Sequence, residues 1–218
     1  MSVTAYLIVS DCETMDIGIL LFLSGILAGA MNAVAGGGSF VSFPVLLSVG
    51  ISPVTANASN TVALLPGSLA GAWQYREYAG NLQGISLTKM ILLTLGGGGV
   101  GALLLLYTTA SQFTKFIPWL LLVSSLTFAF GKQLGHYIRK TRQISRTTVM
   151  TGQFILGIYG GYFGGAVGIM MMAVWNIFGM TDIKQINANK NLLVAAANAV
   201  AAVLFSLPVK LPGMKQLY

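Results

Sequence analysis

From Ile17 to Tyr75 the chain carries no formally charged side chain, a run of 59 residues. A helix at an aqueous surface needs polar residues opposite its apolar stripe, and a run of this length supplies too few of them. Further uncharged runs cover Met90 to Thr114, Phe116 to Gly131, Thr147 to Thr181 and Asn191 to Val209. A membrane-spanning helix takes about 20 mostly apolar residues, so roughly six or seven embedded segments fit into these runs. Only 8% of the 218 residues are charged and 55% are hydrophobic, whereas a soluble domain carries about 25% charge. With a mean hydropathy of +0.78, the chain reads as an all-α, polytopic helical membrane protein with two internal repeats and glycine-broken or re-entrant segments, and the uncharged runs weigh strongly against a soluble protein with a large helical core.

Within the first run, "MNAVAGGGSFVSFPVLL" (Met31 to Leu47) places three glycines and a proline where helix length would be expected. An unsatisfied backbone group in lipid is costly, so non-helical backbone there must be buried in protein or line a watery cavity. The region from Ile17 to about Val49 is too long for one ordinary crossing, and its glycines and Pro44 indicate a broken or re-entrant helix. Gly50-Ile51-Ser52-Pro53 reads as a turn that starts the next helix, from about Val54 to Trp73. Trp73, Tyr75 and Arg76 then mark an interface, where amphipathic and basic side chains concentrate. Further spans are expected at Ile85 to Tyr107 and Phe113 to Phe130.

A second half begins at about Thr148 and repeats this plan. Gly29 precedes Gly36-Gly37 by seven positions, and Gly157 precedes Gly164-Gly165 by the same interval, an offset of 128 residues. Each cluster leads to an Asn-rich helix start, "TANASNTVALLPGSLAGA" and then "INANKNLLVAAANAVAAV". Aligning these two requires an offset near 131 or 132, which leaves the pairing of individual asparagines open. The chain therefore divides into a polar N-terminal segment (1–16), a first transmembrane repeat (17–131), a basic loop (132–147), a shortened second repeat (148–207) and a tail (208–218). The second repeat lacks counterparts of the spans at 85–107 and 113–130, so the chain is either naturally short, truncated, or completed by a partner membrane subunit. Repeated halves are a recurrent plan among transporters; whether these are parallel or inverted is open at this level.

The net charge of +7 is concentrated in the loop "GKQLGHYIRKTRQISR", which the positive-inside rule places in the cytoplasm. No aromatic platform accompanies it, so no nucleic acid partner is expected. Asp11, Glu13 and Asp16 stand where a secretory signal would have basic residues, so cleavage of a signal is not expected. Cys12 has no second cysteine to pair with. His136 lacks further metal-ligating neighbours, so neither a metal site nor a cofactor is expected.

Candidate site residues cluster around the glycines. Asn32, Ser39 and Ser42 flank Gly36, Gly37 and Gly38, and Asn57, Ser59, Asn60 and Thr61 follow on the next helix. The second half offers Gly164 and Gly165 with Tyr159, Tyr162, Asn187, Asn189, Lys190 and Asn191. Asn57 and Asn60 are three apart, and Asn187 and Asn191 four apart, so each pair shares a helical face. Helix N-termini and converging amides at two broken segments attract anions. The competing reading makes these amides helix caps or interhelical bonds. Lys190 either balances a bound anion or snorkels to headgroups. Interior carboxylates are nearly absent, which argues against a proton relay of buried acids and against a hydrolytic enzyme.

The stretch "AGAMNAVAGGGSFVSFPVLLSVGISPVTANASNTVALLPGSLAGAWQYR", together with "GIYGGYFGGAVGIMMMAVWNIFGMTDIKQINANKNLLVAAANAVAAVLF", resembles the sulfite exporter family called TauE/SafE, over about residues 17 to 207. The resemblance implies a multi-pass carrier in the bacterial cytoplasmic membrane for a small anion such as sulfite or an organosulfur anion. It carries onto Gly36, Gly37, Gly38, Pro44 and Asn57 through Thr61, and onto Gly164, Gly165 and Asn187 through Asn191. Ala166 stands at the position aligned with Gly38, and Met172 at that aligned with Pro44. Members of the family are generally longer. The reading is thus a secondary carrier in a lipid environment, not an enzyme, coupled to a proton or sodium ion and open to homo-oligomer formation. An anion channel and a non-transporting scaffold or accessory subunit are the alternatives.

Overall fold

The computed structural model describes residues 3–82, 84–141 and 145–206. Among them are eight α-helices: α1 (Val3–Ala35), α2 (Ser39–Ser48), α3 (Pro53–Gln74), α4 (Leu87–Tyr107), α5 (Ala110–Thr141), α6 (Arg146–Tyr162), α7 (Val167–Ile177) and α8 (Ile183–Ser206). Four stretches are long and apolar enough to cross a membrane: Asp16–Ala35, Leu87–Tyr107, Ala110–Gly131 and Ile183–Ser206. The expected helix over Val54 to Trp73 is present as α3, but Asn57, Asn60, Thr61 and Ser68 lie buried along it and make it less apolar than those four. α2 and α7, at 10 and 11 residues, are too short to cross a bilayer.

Three boundaries differ from the sequence reading. α1 starts at Val3, so residues 3–16 of the polar segment continue into the span without a break, since they include neither glycine nor proline to stop the helix. α5 runs on to Thr141, so most of the segment read as a basic loop is helix; Lys, Gln, Leu and Arg are strong helix formers. Pro44 lies inside α2, and the chain turns where φ is positive, at Gly36 (φ 79°). The tail 208–218 lies outside the described residues.

The turn after α1 brings Gly38 back beside Ala28 and Asn32, so α2 starts alongside α1 instead of prolonging it. The second repeat does the same: Gly164 has φ 65°, and α7 begins with Val167 against Gly160 of α6, 3.1 Å from where a β-carbon there would sit. The repeats are therefore α1-α2-α3 and α6-α7-α8. α3 and α8 pack against each other in opposite directions. Tyr78, just past the end of α3, meets Lys184 at the start of α8; Gly71 meets Asn191; and Phe205, late in α8, joins the apolar cluster of Val54 and Ala56, early in α3. Equivalent helices running antiparallel make the two repeats inverted.

Burial also fixes the alignment left open above. α3 starts at position 53 and α8 at 183, an offset of 130. At that offset every buried residue of α3 except Val54 has a buried counterpart on α8. The offsets of 131 or 132 rotate the pattern by about 100° per residue and turn buried positions outward. Asn57 thus corresponds to Asn187, Asn60 to Lys190, Thr61 to Asn191, and Ser68 to Asn198.

The tightest packing joins α4 to α6, which run parallel. Gly97, Gly98 and Gly101 of α4 face Gly157, Ile158 and Gly161 of α6, small-residue faces that let the backbones touch. Thr94, Gln153 and Trp175 add a buried polar chain across α4, α6 and α7: Gln153 Nε2 donates to Thr94 Oγ1 at 2.8 Å, and Trp175 Nε1 donates to Gln153 Oε1 at 3.0 Å. Among the described residues no atom lies within 4 Å of a β-carbon built on Gly25 or Gly29 of α1, although the Gly29 backbone packs against Gly67 of α3. Phe22, Leu23, Trp119 and Phe128 point outward, as lipid-facing residues do. A β-carbon at Gly161 would strike the Gly98 carbonyl, whereas one at Gly99 meets nothing within 4 Å. Gly161→Ala is therefore expected to lower stability by about 1–3 kcal/mol, and Gly99→Ala to leave it unchanged or raise it by up to about 1 kcal/mol, measured as thermal unfolding in detergent.

Candidate functional site

The two glycine turns meet. A β-carbon on Gly36 would lie 2.7 Å from the Gly168 α-carbon, and one on Gly168 would lie 2.7 Å from the Gly36 α-carbon. Only residues without side chains allow this approach, and Gly36 is also held in the left-handed region. The contact brings the start of α2 beside the start of α7. Their N-cap residues are Gly38 and Ala166, neither of which has a side chain able to accept from the first amides. Two helix N-termini with their partial positive charge thus converge without side-chain caps. Ala166 itself has φ 61°, strained for a residue with a β-carbon, where Gly38 of the first repeat is in the ordinary right-handed region.

Breaking α1 and α6 also leaves C-terminal carbonyls free. Asn32 O accepts from Gly36 N within its own repeat, 3.0 Å, and the opposite repeat supplies further donors to both breaks. Asn57 Nδ2 on α3 donates to Tyr162 O at the end of α6, 3.0 Å. Asn191 Nδ2 on α8 donates to Ala33 O near the end of α1, 3.0 Å, and Lys190 Nζ donates to Asn32 O and Ala33 O, 3.3 Å each. Thr61 lies against the second turn, its hydroxyl 2.9 Å from a β-carbon built on Gly164, and donates to Asn57 O.

The remaining residues sort by what they touch. Asn60 Nδ2 donates to Ser39 Oγ at 3.0 Å and its Oδ1 accepts from Ser42 Oγ, tying α3 to α2. Asn32 Nδ2 donates to Ser68 Oγ at 2.8 Å. A β-carbon on Gly37 meets the tip of Ile169. Gly165 and Ser39, with Phe43, Phe163 and Ala166, line a cavity of about 50 Å³ beside the turns. Lys190 is fully buried, so it does not snorkel to headgroups. Asn189 is not brought to the turns: its amide clamps Gly80, accepting from the backbone N–H at 3.1 Å and donating to the carbonyl at 2.9 Å. Tyr159 and Tyr162 direct their hydroxyls towards Leu120 O and Thr108 Oγ1, on the α4/α5 side. Asn187 is buried and its Oδ1 has no partner among the described residues, as is true of Asn57 Oδ1 and Asn198 Oδ1.

Sequence reasoning missed Gly168, Ser68 and Asn198. Gly168 follows Gly164 by four positions, a small-xxx-small spacing. Ser68 and Asn198 each lie seven residues after Thr61 and Asn191, two turns on along the same face.

A helical bundle of two inverted, glycine-broken repeats, with apolar side chains outward and amides inward, has the architecture of a membrane transporter. The comparisons agree, and the chain belongs to the sulfite exporter TauE/SafE family, whose model matches residues 21–215. It is 31% identical over 199 residues to a "Probable membrane transporter protein" of Haemophilus influenzae, covering 88% of this chain and 77% of that one. It is 29% identical over 192 residues to "Probable membrane transporter protein YfcA" of Escherichia coli K12, covering 88% and 70%. "Probable membrane transporter protein ORF9" of a Sinorhizobium species is 25% identical over 185 residues, covering 85% and 70%. No solved structure matches the chain. This is a membrane transporter family and not an enzyme class.

Three substitutions, one of them a control outside the site, separate its parts. Gly36→Ala combines left-handed strain with the Gly168 contact, whereas Gly50→Ala has the same sign of φ (84°) in open space. Gly50→Ala is expected to cost about 1–2 kcal/mol, and Gly36→Ala clearly more, by thermal unfolding. Asn57→Ala uncovers Tyr162 O and is expected to cost about 1–3 kcal/mol in the same measurement.

Proposed function

We propose that the chain is a secondary carrier of a small anion, sulfite or an organosulfur anion, in the bacterial cytoplasmic membrane, driven by a proton or sodium gradient. The observation that carries this is the convergence of the α2 and α7 N-termini at the Gly36–Gly168 contact. Both present amides and positive dipole ends to one place, which favours an anion. Lys190 is the one charged side chain among the buried residues described, and no buried carboxylate among them offsets it. Asn57, Asn60, Thr61 and Ser39 stand around the turns, and Asn187 is a further buried amide on the same helix as Lys190; these groups would orient the ligand. Inverted halves meeting at a central site are suited to alternating access by rocking of one half against the other.

The test is uptake into proteoliposomes from a panel of sulfite, sulfate, thiosulfate, sulfonates and acetate under set proton and sodium gradients. Saturable flux with counterflow of one sulfur-containing anion is expected; a large ohmic current would indicate a channel, and no flux from the folded chain an accessory subunit. The β-carbon of Gly37→Leu meets the flexible end of Ile169, with Phe40 at ordinary contact distance, and in the variant shown by thermal unfolding to be folded, flux is expected to fall at least tenfold. Unchanged flux in that variant would remove the glycine turns from the path.

A further inference from the structure

Asn60 and Lys190 occupy equivalent positions on α3 and α8, yet they do different things. Asn60 bonds the hydroxyls of Ser39 and Ser42 within its own repeat. Lys190 reaches across to the broken end of α1 and places its ammonium 3.3 Å from two main-chain carbonyls, Asn32 O and Ala33 O. Each of these already accepts a neutral N–H, from Gly36 N at 3.0 Å and from Asn191 Nδ2 at 3.0 Å. These two carbonyls are therefore bonded without Lys190, and what the ammonium adds is charge. Carbonyls at the C-terminal end of an interrupted helix, carrying the negative end of its dipole, are the kind of ligand that holds a coupling cation in broken-helix carriers. Nothing comparable stands at the end of α6, where Tyr162 O accepts from the neutral amide of Asn57.

We propose that Lys190 is a tethered cation: its ammonium fills a monovalent-cation site formed by Asn32 O and Ala33 O, in the place a coupling sodium ion would take. The link to coupling rests on the carrier reading above; the site itself does not. Removing the side chain leaves two carbonyls facing a space shaped for a small monocation, with methylammonium, the nearest free analogue of the lysine head, as the ligand of choice and sodium as the second.

The experiment uses the full chain in detergent, with no anion present. Melting temperature is measured in methylammonium, sodium and N-methylglucamine chlorides at equal ionic strength. Lys190→Ala is expected to melt lower than the wild type and to recover by several degrees, saturably, in methylammonium, with a smaller recovery in sodium. Lys190→Met fills the space without charge and is expected to melt low and not respond. The wild type should show the same melting temperature in all three salts, and its anion flux should be unchanged when sodium is replaced by N-methylglucamine. A folded Lys190→Ala that responds to cations no more than the wild type overturns the proposal. If that variant is not recovered folded, the wild-type measurements still decide: a melting temperature or flux that rises saturably with sodium overturns it, and sodium independence supports it. Failure of the carrier reading alone appears differently, as absent flux of every anion alongside an intact cation response in Lys190→Ala.

Discussion

A helix interrupted inside an apolar environment leaves carbonyls with no water to bond them, and each one left bare costs about 1–3 kcal/mol or more. The arrangement of this protein follows from where the missing donors come from. α1 stops at Ala35 and α6 at Tyr162, and in both cases the donor is a side chain on the third helix of the other repeat. Asn57 crosses to α6, and Lys190 with Asn191 crosses to α1. Gly36 N closes the last turn of α1 on Asn32 O, but Ala33 O and Tyr162 O take their donors from the other repeat, so the bonding of both breaks is complete only when the two copies are folded together.

The same reciprocity explains the glycines at the centre. Bringing two third helices onto each other's turns forces the turns together, and the Gly36–Gly168 approach is the backbone distance that results. A stiff frame surrounds this contact. α4 locks to α6 through glycine faces, and Gln153 is held between Thr94 and Trp175. On α1, Gly29 packs against Gly67 of α3 and Asn32 bonds Ser68, so the first break is also held to the third helix of its own repeat.

Much of this was legible in the residues. The uncharged runs marked the embedded helices, and the glycine spacing located both turns, because lack of charge and lack of a β-carbon are local properties that a sequence displays directly. The inversion of the repeats and the identity of the equivalent asparagines were not legible, since they depend on which helix packs on which, and a one-residue change in alignment is invisible until burial is known. Asn189 shows the limit well: it sits among three site residues in sequence, but the helix turns it towards Gly80. The basic segment was misread for the opposite reason, as its charges suggested a loop while its side chains favour helix up to Thr141.

The exchange of an amide for an ammonium between Asn60 and Lys190 has a consequence for the energy of the whole. In a scaffold related to itself by inversion, the form open to one side becomes the form open to the other when the halves trade conformations. Were the halves chemically identical, those two forms would have equal free energy. On the carrier reading proposed above, the buried charge on α8, absent from α3, is one of the differences that remove that degeneracy and would give the protein an intrinsic resting side before any ligand or gradient acts on it.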